Sequence, residues 1–311
     1  MNLSNNIDYP VPTKLRISTM TATCHLSNEL DLNNMYEKLD INSFITYIEF
    51  ANLPIKGFNP KTISDKKANK KKVFYNQITI ILQITPGVKI NIKIFNNGAA
   101  SITGIKDSSL AKQAVNKLCD SLNNITDKDI NYQLKDFDIV LINSDYHIGY
   151  EIKRDELHKI LINKFKLCSS YEPCIYPGVN SKFFWNSNNK NGQFLGKCMC
   201  TKSCNGKGNG IGNGKCKKIT ISTFQSGSVI ITGARNMEQI SDAYNFINKI
   251  FKDYYSDLKK TNAPFLEMDD TKVSIKPQKK ENIIYLKKSN IKILTKKNIN
   301  ILYNETLNKK K

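Results

Sequence analysis

Acidic residues are scarce in this chain. Of its 311 residues, 27 are Asp or Glu against 47 Lys or Arg, leaving a formal net charge of +20. Such an excess is a footprint for nucleic acid, an anionic membrane or an acidic partner. The abundance of Lys, Asn and Ile offers a second origin for it, an AT-rich coding sequence. Histidine is rarer still. His25, His147 and His158 lie far apart and accompany no Ser or Cys nucleophile motif. No phosphate-loop or dinucleotide glycine fingerprint occurs. Asp138, Asp145 and Glu151 are scattered like ordinary strand-edge charges rather than gathered as nuclease acids. These absences argue against an enzyme. Apolar runs long enough to cross a bilayer are also missing, and Met1 to Asp8 has no signal-peptide core. The expectation is a soluble, intracellular protein, in which eight cysteines are thiols or metal ligands before they are disulfides.

What is present is a duplication. Residues 94–106 and 223–235 both read Phe-x-x-Gly, four residues, Thr-Gly, then a basic residue two places on. Each copy is entered by an alternating strand and left by an amphipathic helix, the mark of a repeated structural unit. In the first copy Ile90, Ile92 and Ile94 alternate with Asn91, Lys93 and Phe95. A three-residue loop, Asn96-Asn97-Gly98 with Gly98 at positive φ, pairs Phe95 with Ala99, Lys93 with Ser101 and Ile92 with Ile102. A two-residue loop would set Lys93 on the face of Ile102, which the period-2 pleat penalises. The second copy agrees, with Ile219, Ile221, Val229 and Ile231 on one face and Lys218, Thr220, Ser222, Phe224, Ile230 and Thr232 on the other. Asp107 and Asn236 read as helix N-caps, with Gln239 completing a capping box. The helices carry stripes of Leu110, Ala111, Ala114, Leu118 and Leu122, and of Ile240, Ala243, Tyr244, Ile247, Phe251 and Tyr254. Covering the aliphatic face with helices leaves Phe95, Phe224, hydroxyls and cations on an open one.

Taken in order, the chain divides into a polar lead-in (1–13), a first repeat (14–123), a linker (124–136), a second repeat (137–256) with a Cys/Gly/Asn-rich insertion (186–214), and a basic C-terminal tail (257–311). Strands are expected at Leu15–Cys24, Ile45–Phe50, Val73–Leu82, Lys89–Phe95, Asp138–Tyr150 and Lys182–Trp185. Short helices are expected at Leu32–Leu39 and Lys153–Phe165. Lys56–Lys72 reads as an exposed loop, either simply solvated or phosphate-contacting. The tail carries short apolar runs at Ile283–Leu286 and Ile291–Leu294.

The segment Ser170-Tyr171-Glu172-Pro173 through Tyr176-Pro177-Gly178 resembles the S-Y-E-P-x-x-F-P-G signature of the TATA-box-binding protein family, with Tyr176 where Phe stands. The two Phe-x-x-Gly…Thr-Gly-x-Lys/Arg blocks match that family as well. The resemblance implies an α+β saddle of two pseudo-symmetric repeats, a curved antiparallel sheet with helices on the convex face. It implies a general transcription initiation factor that binds and bends AT-rich double-stranded promoter DNA through the minor groove. Its implied partners are a transcription-factor-B-like protein and the RNA polymerase machinery. By the same resemblance Phe95 and Phe224 match one intercalating wedge in each repeat, with Tyr176 the second wedge of repeat two and Phe74 (or Tyr75) that of repeat one. Thr103, Thr232 and Ile230 would face the groove, and Lys106, Arg235 and Lys182 would meet phosphates. Two features depart from the pattern. The Lys that follows the hairpin Gly is Ala99 in one repeat and Ser228 in the other. The Asn of each first strand aligns with Leu15 or Arg16 and with Leu141, leaving Asn143 near but out of register. The other functional class is a protein of this fold that serves as an interaction module or regulator with little sequence-specific DNA binding. The composition and insertion suit a fast-diverging lineage such as a large DNA virus, so the expected location is the nucleus or a cytoplasmic viral factory.

Cys198, Cys200 and Cys204 fall inside the insertion and Cys216 two residues after it. Four thiolates could close a structural zinc site, although the spacing is not a paired C-x-x-C; free thiols are the alternative. The resemblance itself requires no cofactor.

Overall fold

The computed structural model describes residues 9–27, 29–58, 73–125, 132–189 and 194–261. The first half runs β1 (Arg16–His25), α1 (Leu32–Lys38), β2 (Ile45–Phe50), β3 (Lys56–Gly57), β4 (Gln77–Thr85), β5 (Val88–Phe95), β6 (Ala99–Ile105) and α2 (Ser108–Ile125). The second runs β7 (Lys135–His147), α3 (Arg154–Asn163), β8 (Cys168–Ser170), β9 (Val179–Trp185), β10 (Lys217–Thr223), β11 (Ser228–Ala234), α4 (Met237–Asp253) and α5 (Tyr255–Leu258). All of these lie within residues 1–260, one compact unit.

The strands form a single antiparallel sheet of eleven in the order β3-β2-β4-β5-β6-β1-β7-β11-β10-β9-β8. The order is a palindrome of roles. β1 and β7 pair at the centre, each is flanked by its own hairpin (β5–β6, β10–β11), and beyond the hairpins lie β4, β2 and β3 on one side and β9 and β8 on the other. It is the curved, unclosed sheet of an α+β saddle.

Both hairpins adopt the three-residue register. Ile92 sits opposite Ile102 and Lys93 opposite Ser101, while Ile221 sits opposite Ile231 and Thr220 opposite Thr232. Gly98 and Gly227 hold φ of 80° and 88°, and their amides donate to Phe95 O and Phe224 O at 2.9 and 3.0 Å. The aliphatic face is buried against helices. Ile78, Ile80, Ile90, Ile92, Ile94 and Ile102 form one cluster with Ala111, Val115, Leu118 and Leu122 of α2. Ile219, Ile221, Val229 and Ile231 form another with Ile240, Ala243, Ile247 and Phe251 of α4. Each such fully buried aliphatic side chain contributes about 1.5–3 kcal/mol relative to exposure. The helices begin where their caps dictate: Asp107 Oδ1 accepts from Ser109 N at 2.7 Å, and Asn236 Oδ1 from Gln239 N at 2.9 Å. Gln239 returns its Oε1 to the amide of Arg235, one residue upstream of a capping-box partner.

Several boundaries differ from expectation. Val73–Asn76 is not strand; β4 begins at Gln77, the residue opposite Phe95, and extends to Thr85. Lys56–Gly57 is an edge strand on β2 rather than loop, and residues 59–72 of that expected loop lie outside the described residues. α2 continues to Ile125, and 126–131 of the expected linker lie outside the described residues. β7 starts three residues earlier than expected and stops at His147. The lead-in is more than polar: Tyr9 packs edge-on against Tyr150 and Tyr255, with ring centroids at 6.2 and 5.3 Å. At the start of the tail, Lys259 bridges to Ile152, and residues 262–311, with both apolar runs, lie outside the described residues.

Candidate nucleic-acid interface

Opposite the helices, the sheet presents a floor of polar rows. In the second half a row crosses Lys182, Thr220, Thr232, Asn143 and Thr19 on β9, β10, β11, β7 and β1. In the first half the matching row crosses Ile81, Asn91, Thr103, Thr21 and Leu141. Alternation aims these side chains away from the core, since their strand neighbours Ile92, Ile102, Ala22, Ile142, Ser144 and Ile231 are all buried. Ile230 lies one row further along, between Ser222 and Asp145.

Phe95 ends β5 and Phe224 directly follows β10, each half-buried on this face. The structure brings Tyr176 to Phe224, with ring centroids 5.7 Å apart and planes tilted by 57°. Gly178 makes room for this pair: a Cβ there would lie 2.8 Å from Tyr176 and 3.1 Å from Phe224. In the first half, Phe74 is half exposed in the segment that enters β4, and the Asn76 carbonyl accepts from the amide of Asn96 in the turn at 3.2 Å. Tyr75 is more exposed and its hydroxyl accepts from Asn52 at 2.8 Å.

The expected phosphate-contacting cations divide. Lys106 is exposed at the end of β6. Lys182 donates to Thr220 Oγ1 at 3.0 Å, and burial, with help from the nearby Lys218 charge, pushes its ammonium below the usual lysine range. Arg235 forms an ion pair with Asp138. A second pair on this face joins Arg16 to Asp145 at 2.8 Å. Two of the acids that looked like plain strand-edge charges therefore face these cations.

Asn143 corrects the alignment of the first strands. It stands opposite Thr232, and Thr21 stands opposite Thr103, so Asn143 and Thr21 are the equivalent floor positions of the two halves. Leu141 is instead one row away, and Leu15 and Arg16 lie towards the start of β1. Sequence reasoning also missed Arg154. Its guanidinium lies over the Tyr171 ring at 5.2 Å, donates to the Pro177 carbonyl, and reaches Gln225 Oε1 at 3.0 Å. It thereby ties the loop carrying Tyr176 to the turn that follows Phe224. Its place at the first position of α3 carries no local sequence signal for that role.

Cys198, Cys200, Cys204 and Cys216 converge: their sulfur atoms all lie within 4.8 Å of one another. Cys168 and Cys174 are exposed elsewhere, while Cys24 and Cys119 are buried in the first core.

Residues 209–254 match the family model described as transcription factor TFIID, or TATA-binding protein. A TATA-box-binding protein-like protein of Acanthamoeba polyphaga mimivirus is 33% identical over 272 residues, spanning 79% of this chain and 67% of that protein. Among solved structures, a Methanococcus jannaschii TBP aligns with 78% of this chain and 99% of its own, at 17% identity and a TM-score of 0.44.

Proposed function

The chain belongs to the TATA-box-binding protein family, and from that premise we propose that it is a general transcription initiation factor that binds AT-rich promoter DNA in the minor groove and bends it. On this reading it then recruits a transcription-factor-B-like protein and RNA polymerase, in the nucleus or a viral factory. The observation that carries the proposal is the duplicated open face: Phe95 with Thr103 and Thr21 in one half, Phe224 with Thr232 and Asn143 in the other.

The chemistry follows from the side chains. Minor-groove binders, of which TATA-box-binding proteins are a standard case, insert apolar side chains between base steps and kink the duplex. On this reading the Tyr176–Phe224 pair would be the wedge of one half, and Phe95 with Phe74 that of the other. The hydroxyls of Thr103 and Thr232 and the Asn143 amide would meet the A N3 and T O2 acceptors, which separate A·T from G·C coarsely. Easily kinked TA steps would add preference without further contacts. Lys106, Lys182 and Arg235 would neutralise phosphates.

A second reading draws on the carboxylates. Asp138 and Asp145 occupy the open face and engage Arg235 and Arg16, an arrangement that favours a protein-interaction module with little sequence-specific DNA binding. Equilibrium binding to AT-rich and GC-rich duplexes over a salt series separates the two. Three phosphate contacts predict a slope of log K against log salt of about −2 to −3, with tighter binding to the AT-rich duplex. Binding without AT preference and without salt dependence would favour the interaction module.

A further inference from the structure

The four-cysteine cluster has geometry that free thiols do not require. Cys200 and Cys216 sulfurs are 3.4 Å apart, and Cys216 and Cys198 sulfurs are 3.8 Å apart. A tetrahedron of thiolates around zinc, with Zn–S of about 2.3 Å, has S···S edges of about 3.8 Å. A disulfide would need about 2.05 Å, and any one disulfide here would leave two more thiols crowded against it.

Donors already surround these sulfurs. The amide of Cys200 donates to the Cys198 sulfur, the amide of Gly214 donates to the Cys200 sulfur, and Asn186 Nδ2 donates to the Cys216 sulfur at 3.5 Å. N–H groups aimed at ligand sulfurs are the outer shell of a thiolate–metal site, where they spread the charge and fix the ligands.

The segment needs such a node. Phe194, Met199 and Ile211 are exposed, so the insertion buries little apolar surface of its own. Its chain nevertheless turns through Gly196, Gly206, Gly210, Gly212 and Gly214, all at positive φ. Ordering a Gly/Asn-rich stretch carries a large conformational entropy cost that a few surface hydrogen bonds do not offset. Metal binding at a site of four thiolates does.

We propose that Cys198, Cys200, Cys204 and Cys216 bind one structural zinc ion. Thiolate softness and a tetrahedral set select zinc among the common divalent metals. The site fixes more than its own loop. Asn209 O accepts from Gln239 Nε2 at 3.2 Å, Gln239 Oε1 accepts from the Arg235 amide, and Gly210 lies against the Trp185 ring. The amide of Lys218 donates to Gly206 O at 2.7 Å, and that of Phe184 to Gly196 O at 2.8 Å. Zinc thereby clamps the outer end of the β9–β10 hairpin and the start of α4. The proposal stands independently of DNA binding.

The test is metal analysis and native mass spectrometry of the full chain, purified with thiol reductant and without chelator. The expected result is one zinc per chain, lost in Cys200→Ser and Cys204→Ser and kept in Cys168→Ser and Cys174→Ser. If the cluster variants fail to fold, titrating the wild-type chain with an organomercurial keeps the proposal falsifiable: zinc should be released in step with four thiols. No zinc, iron in its place, zinc retained in both cluster variants, or a mass two hydrogens light from a disulfide would overturn the proposal.

Discussion

The turns after Phe95 and Phe224 set which face each aromatic occupies, and glycine substitution tests them quantitatively. Gly87 and Gly98 share the same backbone conformation, with φ of 83° and 80°. Their surroundings differ. A Cβ on Gly87 would have nothing within 4 Å, whereas one on Gly98 would lie 1.5 Å from Ser27 O. Gly87→Ala should therefore cost only the left-handed penalty, about 1–2 kcal/mol. Gly98→Ala adds displacement of a backbone carbonyl, about 1–3 kcal/mol by analogy with overpacking. It also threatens the hydrogen bonds from Gly98 N to Phe95 O and from Leu26 N to Gly98 O, both 2.9 Å, at about 1 kcal/mol each. The predicted total is about 4–7 kcal/mol, a large part of a typical domain's stability of about 5–15 kcal/mol. Urea denaturation gives both values from the midpoint shift. A Gly98→Ala chain that does not fold while Gly87→Ala does agrees with the reasoning. Equal costs at the two sites would refute the three-residue turn and with it the placement of Phe95. Gly227, whose Cβ would lie 2.1 Å from Tyr150 O, should behave as Gly98 does.

Two further predictions concern charge and ionisation. Asp138→Asn frees Arg235 on a part-exposed surface, so stability should change by less than about 1 kcal/mol, while DNA affinity rises and its salt slope steepens by about one unit; filter-binding titrations at several salt concentrations read both. Burial, reinforced by their mutual proximity in the case of Cys24, pushes Cys24 up to about 12, and burial with the neighbouring Asp120 charge pushes Cys119 up to about 11, from an ordinary 9.0. Because the folded thiols hold their protons longer than the unfolded ones, their contribution to stability is complete below about pH 9 and falls away as pH rises through the folded values. Alkylation at pH 8 should spare both until the chain is unfolded in urea.

Much of this fold was legible because two periodicities agree. Alternation in Ile90–Phe95 and Ile219–Thr223, with a glycine at the third turn position, leaves one register that keeps the aliphatic residues together, and the helix stripes then choose the covered face. Legibility failed where partners, not local pattern, decide. Val73-Phe74-Tyr75 has strand-like residues, yet β4 starts at Gln77 because its neighbours end there: Phe95 pairs with Gln77 and Phe50 with Ile78. β8 is three small residues, Cys168-Ser169-Ser170, that pair with β9. Asn143 was misplaced because the halves do not share one offset. Thr103 corresponds to Thr232, 129 positions on, while Thr21 corresponds to Asn143, 122 positions on; the longer insertion of the second half absorbs the difference. The cysteine spacing gave composition but not convergence, since five left-handed glycines fold the chain back on itself.

The most direct test of the central claim is fluorescence energy transfer across an end-labelled AT-rich duplex, with a GC-rich duplex as control. The chain should shorten the end-to-end distance of the AT-rich duplex, and Phe95→Ala/Phe224→Ala should abolish that bend while leaving salt-dependent binding measurable, since Lys106 and Lys182 remain. Salt-sensitive binding with no bend, or a bend that the double variant leaves intact, would contradict the account.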